Sequence, residues 1–365
     1  MHPLGLRELH QRAGARFEDF AGMEVVREYG DARAEHAALT AGAGVMDLSF
    51  RGRLCLTGAD RARFLHGQVT QDIKALKDEE GCYAALVNAK GRMESDLNVW
   101  RLANELLLDF EPGLSDVISR RLNQYLVADD VQVVDASSHY GLLSVQGPKA
   151  ESAAERLGLE NVPARAFQFT AAEDGELGEV YLMNNPRLGS AGFDWFVPAA
   201  GMPAAAARLF EAGRLTGGRW CGRTAFETAR VEAGVPRFPA DMDGANLPNE
   251  CIEERAVSFT KGCYIGQEIL NRVHTAGHVA RRLRGLRVKG RPHSLPAKGD
   301  KLFHAGKEAG YVTSAVESWS LNCDIALGYV REDGLAAGTE LVVRTAHGDC
   351  EAMLSVLPFR TEAQA

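Results

Sequence analysis

The 365-residue chain lacks the features that mark several broad classes of protein. No run approaches the roughly 18 uninterrupted apolar residues of a membrane-spanning helix. The most apolar stretch, Val197 to Phe210, is alanine-rich and broken by Pro198 and Pro203, so it reads as loop followed by helix. Cysteine is scarce and unpaired in pattern: seven residues, an odd number, with no C-x-x-C, which leaves a disulfide framework and a zinc ribbon unsupported. Basic charge is in deficit, 41 Lys plus Arg against 49 Asp plus Glu, so the net charge of −8 does not supply the face a general nucleic-acid binder needs. Near the N-terminus, Arg7, Glu8, Arg12, Arg16, Glu18 and Asp19 stand where a signal peptide would be apolar. There is no repeat and no low-complexity tract. The expectation is a cytoplasmic protein with reduced thiols, no membrane partner and no direct nucleic-acid partner.

What is present is an ordinary globular composition, long enough for two or three domains because single cores stop growing at roughly 250–300 residues. Arg53 to Thr57 alternates and predicts a strand, after which Asp60 is placed to cap a helix bearing Leu65, Val69 and Ile73 at i, i+4 spacing. Tyr83 to Val87 and Ser95 to Trp100 read as strands joined by the turn chemistry of Asn88-Ala89-Lys90-Gly91. Glu105 to Phe110 is a third strand, and Pro112 opens a helix with Leu114, Val117, Ile118, Leu122 and Tyr125 on one stripe. Strands at Val131–Val134 and Leu142–Val145 follow, then a helix ending at Gly158, another from about Arg223 to Gly234, and a short one from Gln267 to His274. After Ala280, short alternating segments such as Leu286/Val288, Tyr311/Thr313 and Leu341/Val343 are separated by glycine-rich turns and read as an all-β domain. Antiparallel strands interleaved with helices indicate an α+β fold.

Three clusters carry chemistry. In Lys261-Gly262-Cys263-Tyr264-Ile265-Gly266-Gln267-Glu268, a thiol lies two residues from a lysine and just ahead of the helix that Gln267 opens. A nearby cation and helix N-terminus favour a thiolate. On residue type alone Cys263 also reads as a small buried thiol in a tight loop. In Gly91-Arg92-Met93-Glu94-Ser95-Asp96-Leu97, strand alternation puts Asp96 and Asn98 opposite Leu97 and Val99. A carboxylate there can hold a developing cation or move a proton, or be merely solvated. In Gly192-Phe193-Asp194-Trp195, an acid adjoins a large aromatic. Six basic residues, Arg281, Arg282, Arg284, Arg287, Lys289 and Arg291, fall close together and read as a solvated strand edge, with a polyanion as the other reading. His274 and His278 have no acidic companions, so no metal site is expected.

The K-G-C-Y-I-G-Q-E octapeptide resembles the signature of the YgfZ family of folate-binding proteins. The wider chain resembles the glycine-cleavage T-protein (aminomethyltransferase) superfamily. The resemblance rests on Met46-Asp47-Leu48-Ser49 with Leu56-Thr57-Gly58-Ala59-Asp60, Ser144-Val145-Gln146-Gly147-Pro148, Arg230-Val231-Glu232-Ala233-Gly234, Ala326-Leu327-Gly328-Tyr329-Val330 and Leu357-Pro358-Phe359. It implies an aminomethyltransferase-like folate-binding fold of three modules. Residues 1–279 would form two interwoven modules, the second spanning about 48–136 plus 166–219, and residues 280–365 a β-barrel-like domain.

It implies tetrahydrofolate, or a one-carbon derivative, as cofactor. Asp96 matches the second, catalytic acid of the T-protein Asp-Asp-Leu, with Ser95 replacing the first. Asp194 stands where T-proteins have a pterin-holding Glu, one methylene longer, and Trp195 is placed to stack on the ring. Cys263 and Asp96 are therefore the expected catalytic residues. Asp194, Trp195, Arg230, Glu232, Lys261 and Gln267 are the expected cofactor contacts. Phe226 replaces a substrate-binding arginine of the T-proteins. The leading expectation is a monomeric YgfZ-like protein supporting assembly or repair of iron–sulfur enzymes, including tRNA-modifying ones, with those enzymes as clients. The alternatives are a folate-dependent aminomethyl- or methyltransferase and a non-catalytic scaffold.

Overall fold

The computed structural model describes residues 1–290, 294–332 and 334–359. The chain divides into two compact units, one of Met1–Leu86, Ser95–Phe226 and Thr260–Tyr264, the other of Val87–Glu94, Glu227–Phe259 and Ile265–Ala365.

The first unit is built on twelve strands: β1 (Arg16–Phe20), β2 (Met23–Glu28), β3 (Gly44–Asp47), β4 (Gly52–Thr57), β5 (Gly81–Val87), β6 (Met93–Arg101), β7 (Leu106–Phe110), β8 (Gln132–Asp135), β9 (Tyr140–Gln146), β10 (Phe169–Asp174), β11 (Gly178–Asn184) and β12 (Gly192–Pro198). Strands β1 and β2 form a hairpin, and the other ten form two five-stranded sheets, ordered β10-β11-β12-β9-β3 and β5-β6-β7-β4-β8. The second sheet is built from residues between Gly52 and Asp135, and β10, β11 and β12 belong to the first sheet, where β12 pairs with β9.

Each sheet buries one face under helices. On the first, Trp195, Val145 and Leu182 pack with Ala205, Ala206 and Leu209 of the helix Met202–Leu215. On the second, Leu54, Leu56, Leu97 and Val99 pack with Phe64 and Leu65 of the helix Arg61–Gln68 and with Ile118 and Leu122 of the helix Ser115–Asn123. A strand's side chains alternate between faces, so the residues between these apolar ones point the other way, and there they are polar: Asp194 and Ser144 on one sheet, Asn98 and Asp109 on the other.

The helix Arg61–Gln68 ends sooner than its apolar spacing predicts. Val69 is extended (φ −118°, ψ 163°), and the Thr70 amide donates to the Ala85 carbonyl at 3.0 Å, so backbone pairing with β5 overrides the helical pattern at Ile73. Asp60 does not cap that helix; its carboxylate accepts from the Asp130 amide. The helix after Pro112 starts at Ser115 and leaves Val117 exposed and Tyr125 beyond its end. Gly158 and Gly234 have the left-handed conformation expected after helix ends.

In the second unit, β13 (Arg281–Val288), β14 (Lys301–His304), β15 (Lys307–Ser318), β16 (Cys323–Arg331), β17 (Glu340–Thr345) and β18 (Gly348–Ser355) close into a barrel in the order β13-β16-β15-β14-β17-β18. Leu286, Val312, Ala326, Val343 and Leu354 fill it. Closure leaves no free sheet edge. The α+β reading and the C-terminal β-barrel expectation both hold.

Candidate functional site

Asp96 sits on β6 where alternation places it. Leu97 and Val99 are buried among the helices, and Asp96 faces the other side, half-buried. The Tyr83 hydroxyl of β5 donates to its carboxylate at 2.8 Å. Burial, and then the nearby Glu111 carboxylate, push the Asp96 carboxyl up to about 6, against the opposing effects of the Tyr83 hydroxyl and the Arg51 guanidinium. A carboxyl in that range exchanges a proton near neutral pH and suits general acid–base work.

On the polar faces of the two sheets lies a buried charge network. Arg187, in the loop between β11 and β12, donates from Nη2 to Asp109 at 2.7 Å and from Nε to both oxygens of Asp194, at 3.1 and 2.9 Å. Asn185 adds a bond to Asp194 at 2.8 Å, and Asn98 one to Asp109 at 2.9 Å. Arg51 donates to the other Asp109 oxygen at 2.7 Å and to Glu111. Two guanidiniums hold the Asp109 carboxyl well below the usual carboxylate range, although burial alone acts the other way. Sequence reasoning missed Arg51, Tyr83, Asp109, Glu111 and Arg187. The available signal was Asp109 itself, a lone acid inside the apolar run Leu106-Leu107-Leu108-Asp109-Phe110.

This network changes the expected roles of two residues. Asp194 is fully buried, and both its oxygens accept from Arg187, so it does not present the open edge expected for a pterin. Trp195, the next residue, points into the helix-covered core, packed with Leu209 and under the Arg208 guanidinium. Neighbouring strand residues face opposite ways, so Trp195 cannot stack on a ring held by Asp194.

The octapeptide loop divides its residues by role. Cys263 is the exposed one among the seven cysteines, whereas Cys55, Cys82 and Cys221 are buried and burial pushes their thiols up. Lys261 is buried, and its ammonium donates to the carbonyls of His66, Val69 and Gln71 at 2.5, 2.7 and 2.8 Å. Those bonds tie the loop to the end of the helix Arg61–Gln68. Burial brings the Lys261 ammonium down to about 8. Lys261 is thus a clasp within the first unit.

Arg230, Glu232 and Gln267 lie in the second unit. Arg230 is buried and bonded to Asp241, Glu227 and Ser314, the last at 2.7 Å. Glu232 accepts from the Ser318 hydroxyl at 2.6 Å and the Ser320 amide. Their polar groups tie the end of the helix Arg223–Glu232 to Ser314, Ser318 and Ser320. Gln267 opens the helix Gln267–Ala276 behind Gly266, whose φ of +82° only glycine adopts freely. Of the basic run, Arg281, Arg282 and Arg284 pair with Glu250 or Glu332, and Arg291 lies outside the described residues.

Comparison with known proteins places these features in a family. The GCVT N-terminal domain model matches residues 6–261, and the glycine cleavage T-protein C-terminal barrel domain model matches residues 281–360. An aminomethyltransferase of Shouchella clausii is 30% identical over 360 residues, covering 97% of this chain and 96% of the relative. One from Synechococcus sp. is 31% identical over 360 residues, with 97% of each chain covered. Among solved structures, the glycine cleavage system aminomethyltransferase T from Bartonella henselae superposes with a TM-score of 0.88 at 25% identity, covering 98% of both chains. The chain belongs to the glycine-cleavage T-protein family.

Proposed function

We propose that this chain binds tetrahydrofolate, or a one-carbon derivative of it, and acts as a folate-dependent one-carbon transferase with Asp96 as its proton-handling group. The observation that carries the reading is the half-buried Asp96 carboxyl, raised to about 6 and fixed by the Tyr83 hydroxyl at 2.8 Å. Bound folate supplies the nitrogens that carry the one-carbon unit. Asp96 then holds or releases a proton at such a nitrogen, and Tyr83 fixes the carboxylate's orientation. Arg51 and Arg187 keep Asp109 ionised, which sets the charge around Asp96. Asp194 serves the site through Arg187, as an anchor. Purified protein should transfer a methylene group from an aminomethyl donor to tetrahydrofolate, and Asp96→Asn should abolish transfer. Turnover unchanged by Asp96→Asn would exclude the assignment.

A second reading rests on the exposure of Cys263 at the end of a clasped loop. In it, the chain is a YgfZ-like protein whose folate-dependent role supports iron–sulfur enzymes, and the thiol is the group offered to them. Phe226, which replaces a substrate-binding arginine, favours this second reading. Cys263→Ala should then fail to complement a deletion strain while retaining any methylene transfer.

A further inference from the structure

We propose that a cavity in the first unit, beside Arg53, binds a small organic monocarboxylate with an apolar body. Neither Asp96, Asp109 nor Asp194 lines this cavity, so the inference does not rest on the folate reading.

Arg53, on β4, is 1% exposed. Its Nη2 donates to the carbonyls of Ser49 and Ser137, at 3.0 and 2.7 Å. Its Nε and Nη1 are buried and have no hydrogen-bond partner. Among the described residues no carboxylate lies within ion-pair distance of it. Arg51, two residues earlier, bonds one Asp109 oxygen at 2.7 Å. Burial brings the Arg53 guanidinium down to about 10. A guanidinium rarely gives up its proton, so a buried one with idle donors calls for an acceptor that carries charge.

The cavity supplies room for one. It has a volume of about 290 Å³, at the small end of ligand cavities. Arg53 shares its wall with Tyr140, which adds a hydroxyl, with Ser49 and Ser137, whose hydroxyls already donate to the Leu142 and Arg53 carbonyls, and with Leu4, Phe50 and Met202, which add apolar surface. A carboxylate answers the cation, and a ring or short chain answers the apolar wall. Glu24 also lines the cavity and is paired with Arg7 at 2.8 Å. Its charge disfavours a dianion, so the site selects a single carboxylate over phosphate.

The test uses the full-length chain and three probes: benzoate, its neutral isostere benzamide, and inorganic phosphate. Calorimetry and thermal unfolding should show saturable binding of benzoate with a raised Tm, and no response to benzamide or phosphate. Arg53→Met should weaken benzoate binding at least tenfold. Ala199→Trp, which fills the cavity from an exposed rim position while leaving Arg53 intact, should do the same if Arg53→Met does not fold. Absence of benzoate binding by the wild type, equal binding of benzamide or phosphate, or benzoate binding unchanged in the variants would each overturn the proposal.

Discussion

Arg187 bridges Asp109 and Asp194, two fully buried carboxylates on different sheets, one 78 residues and the other 7 residues away in sequence. Within the first unit this one guanidinium joins the polar face of each sheet to that of the other. A buried charge is tolerated only with its partners in place.

Removing Arg187 should therefore be costly. Arg187→Met leaves Asp194 with only Asn185 and takes one of two cations from Asp109. A loss of about 3–5 kcal/mol is expected, as for breaking a buried pair from one side. Urea unfolding at pH 7 measures it. The pH dependence has a definite sign. The Asp109 carboxyl is held below its unfolded value, so its contribution is present above that value and is lost as pH falls through the depressed folded value. Wild-type stability should thus fall as the pH drops below about 4, the unfolded carboxylate value, whereas Arg187→Met, lacking one of the two cations that depress Asp109, should lose less over the same acid range.

Asp96 should behave in the opposite way. Its carboxyl is raised to about 6, so its ionisation costs stability above that pH, and the cost vanishes below the unfolded value near 4. Asp96→Asn should stabilise the protein at pH 8 by up to about 3 kcal/mol and leave it unchanged at pH 4. A gain at pH 8 together with lost transfer activity is the signature of a group kept for chemistry at the expense of stability.

Cys263 should alkylate faster with iodoacetamide at neutral pH than the other six thiols, because it is the exposed one. Peptide mapping after brief labelling reads this directly. Lys261→Met should leave three carbonyls without their donor, lower stability by about 2–4 kcal/mol and alter the labelling rate of Cys263 by loosening its loop.

Gly266→Ala should destabilise the second unit by about 2 kcal/mol or more. Residue 266 has φ +82°, and a Cβ there would lie 2.6 Å from the Asn88 carbonyl oxygen. Thermal unfolding tests this. It also gives a conformational reason for the second glycine of the octapeptide, independent of any chemistry at Cys263.

The sequence made the strands legible because their alternation is local. Leu97 and Val99 fixed the direction of Asp96, and Leu286/Val288, Tyr311/Thr313 and Leu341/Val343 marked barrel strands. The same rule, applied one residue further, would have separated Trp195 from Asp194. The partners of Asp194 and Asp109 were not legible, because Arg187 comes from a loop whose position is set by the packing of two sheets. Lys261 is a related case: it stands two residues from Cys263 in sequence, while its side chain reaches carbonyls some 190 residues earlier. The end of the helix at Gln68 was set by bonding between Thr70 and Ala85, which no local pattern reveals.

The central claim is that a reduced folate binds this chain with Asp96 in contact with it. Calorimetric titration of the full chain with tetrahydrofolate at pH 7.5, beside Asp96→Asn, tests it most directly. The account predicts saturable binding by the wild type and a loss of about 10- to 100-fold in the variant, the worth of a hydrogen bond to a charged group. No binding by the wild type, or equal affinity in Asp96→Asn, would contradict it.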